Sequence, residues 1–206
     1  MKHFTLIKDG IDVLPVLFEL EANPDLWGEH GRRKTAPGSP HTGMSDIWVR
    51  YNDDAPYERG ERPWTEFNDL HLPVWYRGWD LLPSLKPIVF DLMAQVEGEM
   101  IGGVLITRIP PGQGIDWHHD RAGWHVQYFE KFYLSLKSAP GAKFWCDADG
   151  EKEALEPKPG EVWLFDNRKP HAVTNHSDSD RITAIICIRT EKFGRGRNEG
   201  VGPCLG

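Results

Sequence analysis

Cysteine is scarce in this chain of 206 residues: Cys146, Cys187 and Cys204 are odd in number and far apart. No pair has the close spacing of a zinc ribbon and no even set supports a disulfide framework, so stability and chemistry must come from elsewhere. Long apolar runs are also missing. Nothing approaches the roughly 20 apolar residues that a membrane-spanning helix needs, and the opening Met1 to Gly10 is broken by charge too early for a secretory h-region. A cytoplasmic location without a membrane partner is therefore expected. Positive charge is in deficit too, with 24 Lys and Arg against 31 Asp and Glu and a formal net charge of −7. Binding to nucleic-acid backbone is dominated by cations that neutralise phosphates, so a nucleic-acid partner is disfavoured. The basic clusters Arg32-Arg33-Lys34 and Lys192, Arg195, Arg197 read as a solvated face and a tail.

A chain of this length fits one domain with a substantial core, and neither a repeat nor a linker divides it. Residues 1–100 read as a helical and irregular front, 101–191 as a β-rich core and 192–206 as a flexible tail. In the front, Val13, Leu14, Leu17, Phe18 and Leu20 recur at helical spacing over Ile11 to Ala22, with Pro15 tolerated near the first turn. Residues 28–43 hold six Gly and Pro and read as a long loop, and Ile47 to Tyr51 as a strand. Ser84 is the expected N-cap of a second helix, with Ile88, Val89, Leu92, Met93 and Val96 on one face and Gly98 at its end. From Gly102 onward the pattern is strands punctuated by Pro110-Pro111-Gly112, Pro140-Gly141 and Pro159-Gly160.

The chemistry is carried by His118-His119-Asp120, a distant His171, and Arg181 ten residues further on. Two imidazoles and one carboxylate form the set that holds iron(II) on one face and leaves the opposite positions open. On a strand, residues 118 and 120 share a face while His119 points away. His119 has no second carboxylate at the right spacing, because residue 121 is Arg121. His171 follows the apolar run Gly160 to Phe165, and Arg181 opens another, Ile182 to Ile188, in which Cys187 reads as core. A guanidinium is a permanently charged planar fork that matches a carboxylate, so Arg181 beside an open metal site points to an acid such as 2-oxoglutarate. Strands that enter one site from separated parts of the chain imply a mainly β fold, a double-stranded β-helix (jelly roll, cupin-like) with a few flanking N-terminal helices.

The stretch from Trp117 to Arg189, with Gly102 to Pro110 before it, resembles the core of the iron(II)- and 2-oxoglutarate-dependent dioxygenases. It is most similar to the aspartyl/asparaginyl β-hydroxylase-like group. The resemblance implies that His118, Asp120 and His171 bind iron and that Arg181 grips the far carboxylate of 2-oxoglutarate, with Thr183 on the same strand face. Where that group usually carries an arginine and a histidine near the cosubstrate, this chain has Lys131 to Leu136, and Lys131 and Tyr133 become the candidate donors. Phe165-Asp166-Asn167 before His171 and Asn175 after it also fit the pattern. The implied activity uses O2 and 2-oxoglutarate, releases succinate and CO2, and hydroxylates a C–H bond of an amino-acid-like or peptide substrate.

In the resembling group the front helps to cover the site, which makes residues 41–46 and Arg50 candidates for substrate or cosubstrate contacts, with Arg121 a further cation able to pair with a carboxylate. Trp117 and Trp124, two of nine tryptophans, are candidates for lining the pocket. His125 and His176 read as supporting or surface residues. Two other classes share parts of this pattern. A cupin-type metalloenzyme that does not use 2-oxoglutarate would need the histidines but not Arg181, and a non-catalytic ligand-binding jelly roll would need none of the four.

Overall fold

The computed structural model describes residues 1–120, 123–127, 129–148 and 150–190. Arg121 and the tail from 192 onward lie outside them. The described strands are β1 (Phe4–Lys8), β2 (Ser45–Asn52), β3 (Pro73–Trp75), β4 (Gly98–Ile109), β5 (Gly114–His118), β6 (Glu130–Lys137), β7 (Ala142–Ala148), β8 (Glu151–Leu155), β9 (Val162–Phe165), β10 (His171–Asn175) and β11 (Arg181–Thr190). They form a seven-stranded sheet in the order β1-β9-β6-β11-β4-β2-β3 and a four-stranded sheet in the order β5-β10-β7-β8, with antiparallel pairing throughout. The fold is mainly β, a double-stranded β-helix of the cupin-like kind.

Alternation on the larger sheet separates packing from chemistry. Ile182, Ala184, Ile186 and Ile188 of β11 join Val104 and Ile106 of β4 and Phe132, Leu134 and Leu136 of β6 in one apolar cluster. That face is covered by α1 (Leu14–Ala22), through Val16 and Leu20, and by a second helix at Leu85–Gln95, through Leu85, Val89 and Leu92. Full burial of such side chains contributes about 1.5–3 kcal/mol each. The opposite face carries Leu105, Thr107, Lys131, Tyr133, Arg181, Thr183, Ile185 and Cys187, all of which line a cavity between the sheets.

Several local expectations are corrected. The first helix, with Val13 just before it, buries Val16 and Leu20 and leaves Leu14 and Phe18 exposed, because the sheet meets it on a face rotated from the densest apolar stripe. Ser84 precedes the second helix but does not cap it; its N–H and hydroxyl both donate to the Glu19 carboxylate, tying the two helices together. That helix ends at Gln95, before Gly98, which opens β4. A Cβ on Gly98 would sit 2.4 Å from Ile188 Cγ2, so it is close packing against β11 that requires glycine there. The opening segment forms β1, paired to β9. Among the described residues no helix is long and apolar enough to cross a membrane.

Candidate metal and cosubstrate site

His118 ends β5 and His171 begins β10, and the antiparallel register places them directly opposite each other. Their ring centroids are 4.2 Å apart. Nδ1 of His118 bonds the carbonyl of Asp116 at 2.7 Å, and Nδ1 of His171 the carbonyl of Lys169 at 2.9 Å. A carbonyl only accepts, so Nδ1 carries the proton in both rings and Nε2 keeps its lone pair for a metal. Burial lowers the pKa of both, that of His171 to about 4, which favours the neutral form that ligates.

Asp120 reaches the same point by a different route from the one expected. The strand stops at His118, so alternation does not orient the carboxylate. Instead Asn167 holds it twice: the Asp120 N–H donates to the Asn167 carbonyl at 3.1 Å, and Asn167 Nδ2 donates to Asp120 Oδ2 at 2.8 Å. Lys131 Nζ donates to the same oxygen at 2.5 Å. Ligand atoms of His118, Asp120 and His171 all lie within 4.8 Å of one another, a grouping suited to one ion.

The other wall of the cavity, which has a volume of about 300 Å³, is the larger sheet. Arg181 is 4% exposed, and burial lowers its pKa to about 10. Among the described residues no carboxylate pairs with it; the Phe144 ring lies 6.0 Å from the guanidinium, and Nε has no partner. Thr183 lies beside it with an unpartnered buried hydroxyl, and so do its cross-strand neighbours Thr107 and Ser135. Sequence reasoning missed Ser135 and Thr107. Ser135 was legible as the next alternate position after Lys131 and Tyr133. Tyr133 lines the cavity among Phe144 and Phe165, its phenol held well above the usual range by burial, while the ammonium of Lys131 is committed to Asp120.

The front loop supplies the third side. His41 packs its ring against His118 at 5.0 Å and is pushed down to about 2, chiefly by burial. Arg33, expected on a solvated face, lines the cavity and pairs with the buried Asp46 at 2.8 Å. Arg32 does stay outside, stacked over Trp64 at 4.6 Å.

Four other candidates are placed elsewhere. Arg50 is displaced by a bulge in β2: Trp48 faces Leu105 but Arg50 faces Val104, so Arg50 leaves the cavity row, bonds the Gly102 carbonyl at 2.9 Å and stacks on Trp75. Trp117 points away from His118, is 46% exposed and carries the Lys152 ammonium over its ring. Trp124 is core, packed with Tyr51 and Phe129. Asn175 is fully buried outside the cavity lining, where its side chain ties the end of β4 to the turn after β10, donating to the carbonyls of Ile109 and Ser179 and accepting from Ser177. His119 does not line the cavity, and His176 is exposed.

Comparison with known proteins identifies a family and a fold. The family described as "Aspartyl/Asparaginyl beta-hydroxylase" matches residues 40–190. No curated relative matches the chain in sequence. Among solved structures, a prolyl hydroxylase from Trichoplax adhaerens, in complex with a hypoxia inducible factor peptide fragment, is similar with a TM-score of 0.58 and 15% identity, over 94% of this chain and 86% of that one. An oxidoreductase of the 2OG-Fe(II) oxygenase family from Burkholderia pseudomallei is similar with a TM-score of 0.52 and 14% identity, over 71% of this chain and 66% of that one, just under two thirds of its length. At such identities the structural likeness speaks to the fold.

Proposed function

The chain belongs to the aspartyl/asparaginyl β-hydroxylase family of 2-oxoglutarate-dependent oxygenases, and from its site we propose that it hydroxylates a C–H bond of an amino-acid-like substrate, free or within a peptide. His118, Asp120 and His171 hold iron(II), and Arg181, with Thr183, holds the far carboxylate of 2-oxoglutarate. When bound, iron and 2-oxoglutarate supply the oxidising power: O2 is consumed, 2-oxoglutarate leaves as succinate and CO2, and one oxygen atom enters the substrate.

The observation that carries this reading is Arg181. A guanidinium buried without a counter-charge costs several kcal/mol, and a fold keeps one where an anionic ligand completes it. The hydroxyls of Thr183, Thr107 and Ser135, also buried and unpartnered, add donors to the same wall. A cupin-type enzyme that does not use 2-oxoglutarate has no use for such a cation, and a simple binding protein has no use for two imidazoles whose Nε2 atoms are held on one point. Tyr133, Phe144 and Phe165 keep this end of the cavity apolar, which strengthens the charge pairing and excludes water.

Purified protein reconstituted with iron(II) and ascorbate should couple O2 uptake to succinate formation. Amino-acid and peptide panels should yield a product heavier by one oxygen atom. His118→Ala and His171→Ala should lose both iron and turnover, while His119→Ala keeps its iron. Succinate formation stimulated only by nucleosides or oligonucleotides would overturn the substrate reading and leave the oxygenase reading standing.

A further inference from the structure

We propose that Arg33 is a specificity-determining residue of this active site, where it pairs with a side-chain carboxylate of the prime substrate. The inference rests on the reading above and names the substrate class. Asp46, Thr107 and Thr183 lie in one cross-strand row on β2, β4 and β11. Two strand spacings separate the Asp46 end from the Arg181 strand, about 10 Å. Arg33 sits at the Asp46 end, so with Lys131 committed to Asp120 the cavity has a guanidinium at each of two separated places. The cosubstrate spans from the metal to Arg181 and leaves Arg33 to another ligand.

A pure loop anchor would have its donors consumed by protein. Among the described residues the Arg33 guanidinium makes one hydrogen bond, from Nη1 to Asp46, out of five N–H donors. Its side chain keeps 18% of its surface exposed and lines the cavity with His41, Tyr51 and Asn68. The free donors are therefore open to a ligand, and Asp46, 3% exposed, fixes the fork in place.

Charge balance points the same way. Arg33, Lys131 and Arg181 face two carboxylates, Asp46 and Asp120. Iron(II) adds two positive charges and 2-oxoglutarate returns two negative ones, so the loaded site keeps one positive charge unmatched. A neutral substrate would leave it so in a cavity of low dielectric; a carboxylate cancels it.

The test uses anaerobic protein loaded with iron(II) and 2-oxoglutarate, titrated with L-aspartate against L-asparagine, L-glutamate against L-glutamine, and blocked tripeptides centred on the same four residues. Binding is read from the change in visible absorption of the loaded site, and succinate formation is then measured in air. A carboxylate member should bind in preference to its amide. Arg33→Gln should weaken that binding at least about 30-fold, as for a charge-assisted pair lost from a desolvated site, with Arg33→Lys intermediate and 2-oxoglutarate affinity unchanged in both. The double variant Arg33→Gln/Asp46→Asn leaves no buried carboxylate unpaired and should show the same loss. Equal binding of amides, indifference to Arg33→Gln, or no binding of any panel member to loaded wild type overturns the assignment. A wild type that takes up no 2-oxoglutarate overturns the oxygenase reading instead.

Discussion

His118 and His171 face each other across the β5–β10 ladder, and each ring is set by the same bond, from Nδ1 to the carbonyl two residues earlier in its own chain segment. The distance between the two ring nitrogens left for iron is thus a property of one strand register. Whatever disturbs that ladder should disturb a metal held between the two rings, even without touching either histidine.

Gly114 offers the test, because a Cβ there would lie 2.5 Å from the carbonyl oxygen of Val173, a backbone atom of β10 that cannot step aside alone. Gly114→Ala should part the strands near the site and weaken iron binding roughly 10–100-fold, the range seen when supporting groups around a metal are altered. Competition against a chelator measures it. Unchanged affinity would mean that the imidazoles are positioned independently of the ladder.

Removing the buried cation should separate stability from function. Arg181→Met replaces a desolvated charge by an apolar side chain of similar length, so ligand-free protein should melt at the same or a higher temperature. Its apparent affinity for 2-oxoglutarate should fall at least about 30-fold, equivalent to about 2 kcal/mol or more. Iron binding should persist. Equal 2-oxoglutarate affinity in the two proteins is the result that contradicts the assignment.

Acid should destabilise the iron-free protein through its buried histidines. Burial depresses His171 to about 4, His71 to about 4 and His41 to about 2, against an unfolded value near 6.5. A histidine depressed by folding binds its proton more readily when unfolded. Its contribution is complete above about pH 6.5 and is lost as pH falls through the interval down to the folded values. Melting temperatures between about pH 7.5 and 4.5 should fall, and less steeply in His71→Phe, whose ring would keep the packing against Trp124 and Phe129. A flat profile in wild type would show these rings to be hydrated.

Asn175→Ala should act on stability and not on chemistry. Its amide serves the carbonyls of Ile109 and Ser179, and each carbonyl left unsatisfied costs about 1–3 kcal/mol. Denaturant unfolding should show that loss, while succinate formed per folded molecule stays the same. A fall in turnover without a fall in stability would return Asn175 to the active site.

The grouping of His118, Asp120 and His171 was legible because its signal is local and chemical. His118-x-Asp120, the strand run before His171 and the arginine opening β11 each say what they are by residue type and spacing. Strand alternation likewise placed Lys131, Tyr133, Arg181 and Thr183 on one face. Arg50 and Arg33 show where such reading ends. Arg50 reads as a strand residue facing the site and Arg33 as part of a solvated cluster, yet one bulge in β2 turns Arg50 out of the row, and one ion pair with Asp46 draws Arg33 in.

The sequence by itself determined the β-rich core and singled out His118, Asp120, His171 and Arg181 as the residues to look for, because periodicity and donor chemistry are properties of neighbouring residues. Only the tertiary structure decided that Lys131 belongs to Asp120, that Asn167 replaces strand geometry in aiming that carboxylate, and that Trp117 and Asn175 stand outside the cavity. Those outcomes depend on register, on a bulge and on which distant loop lies across the sheet. They are fixed by packing between segments far apart in the chain, where spacing along the sequence carries no information.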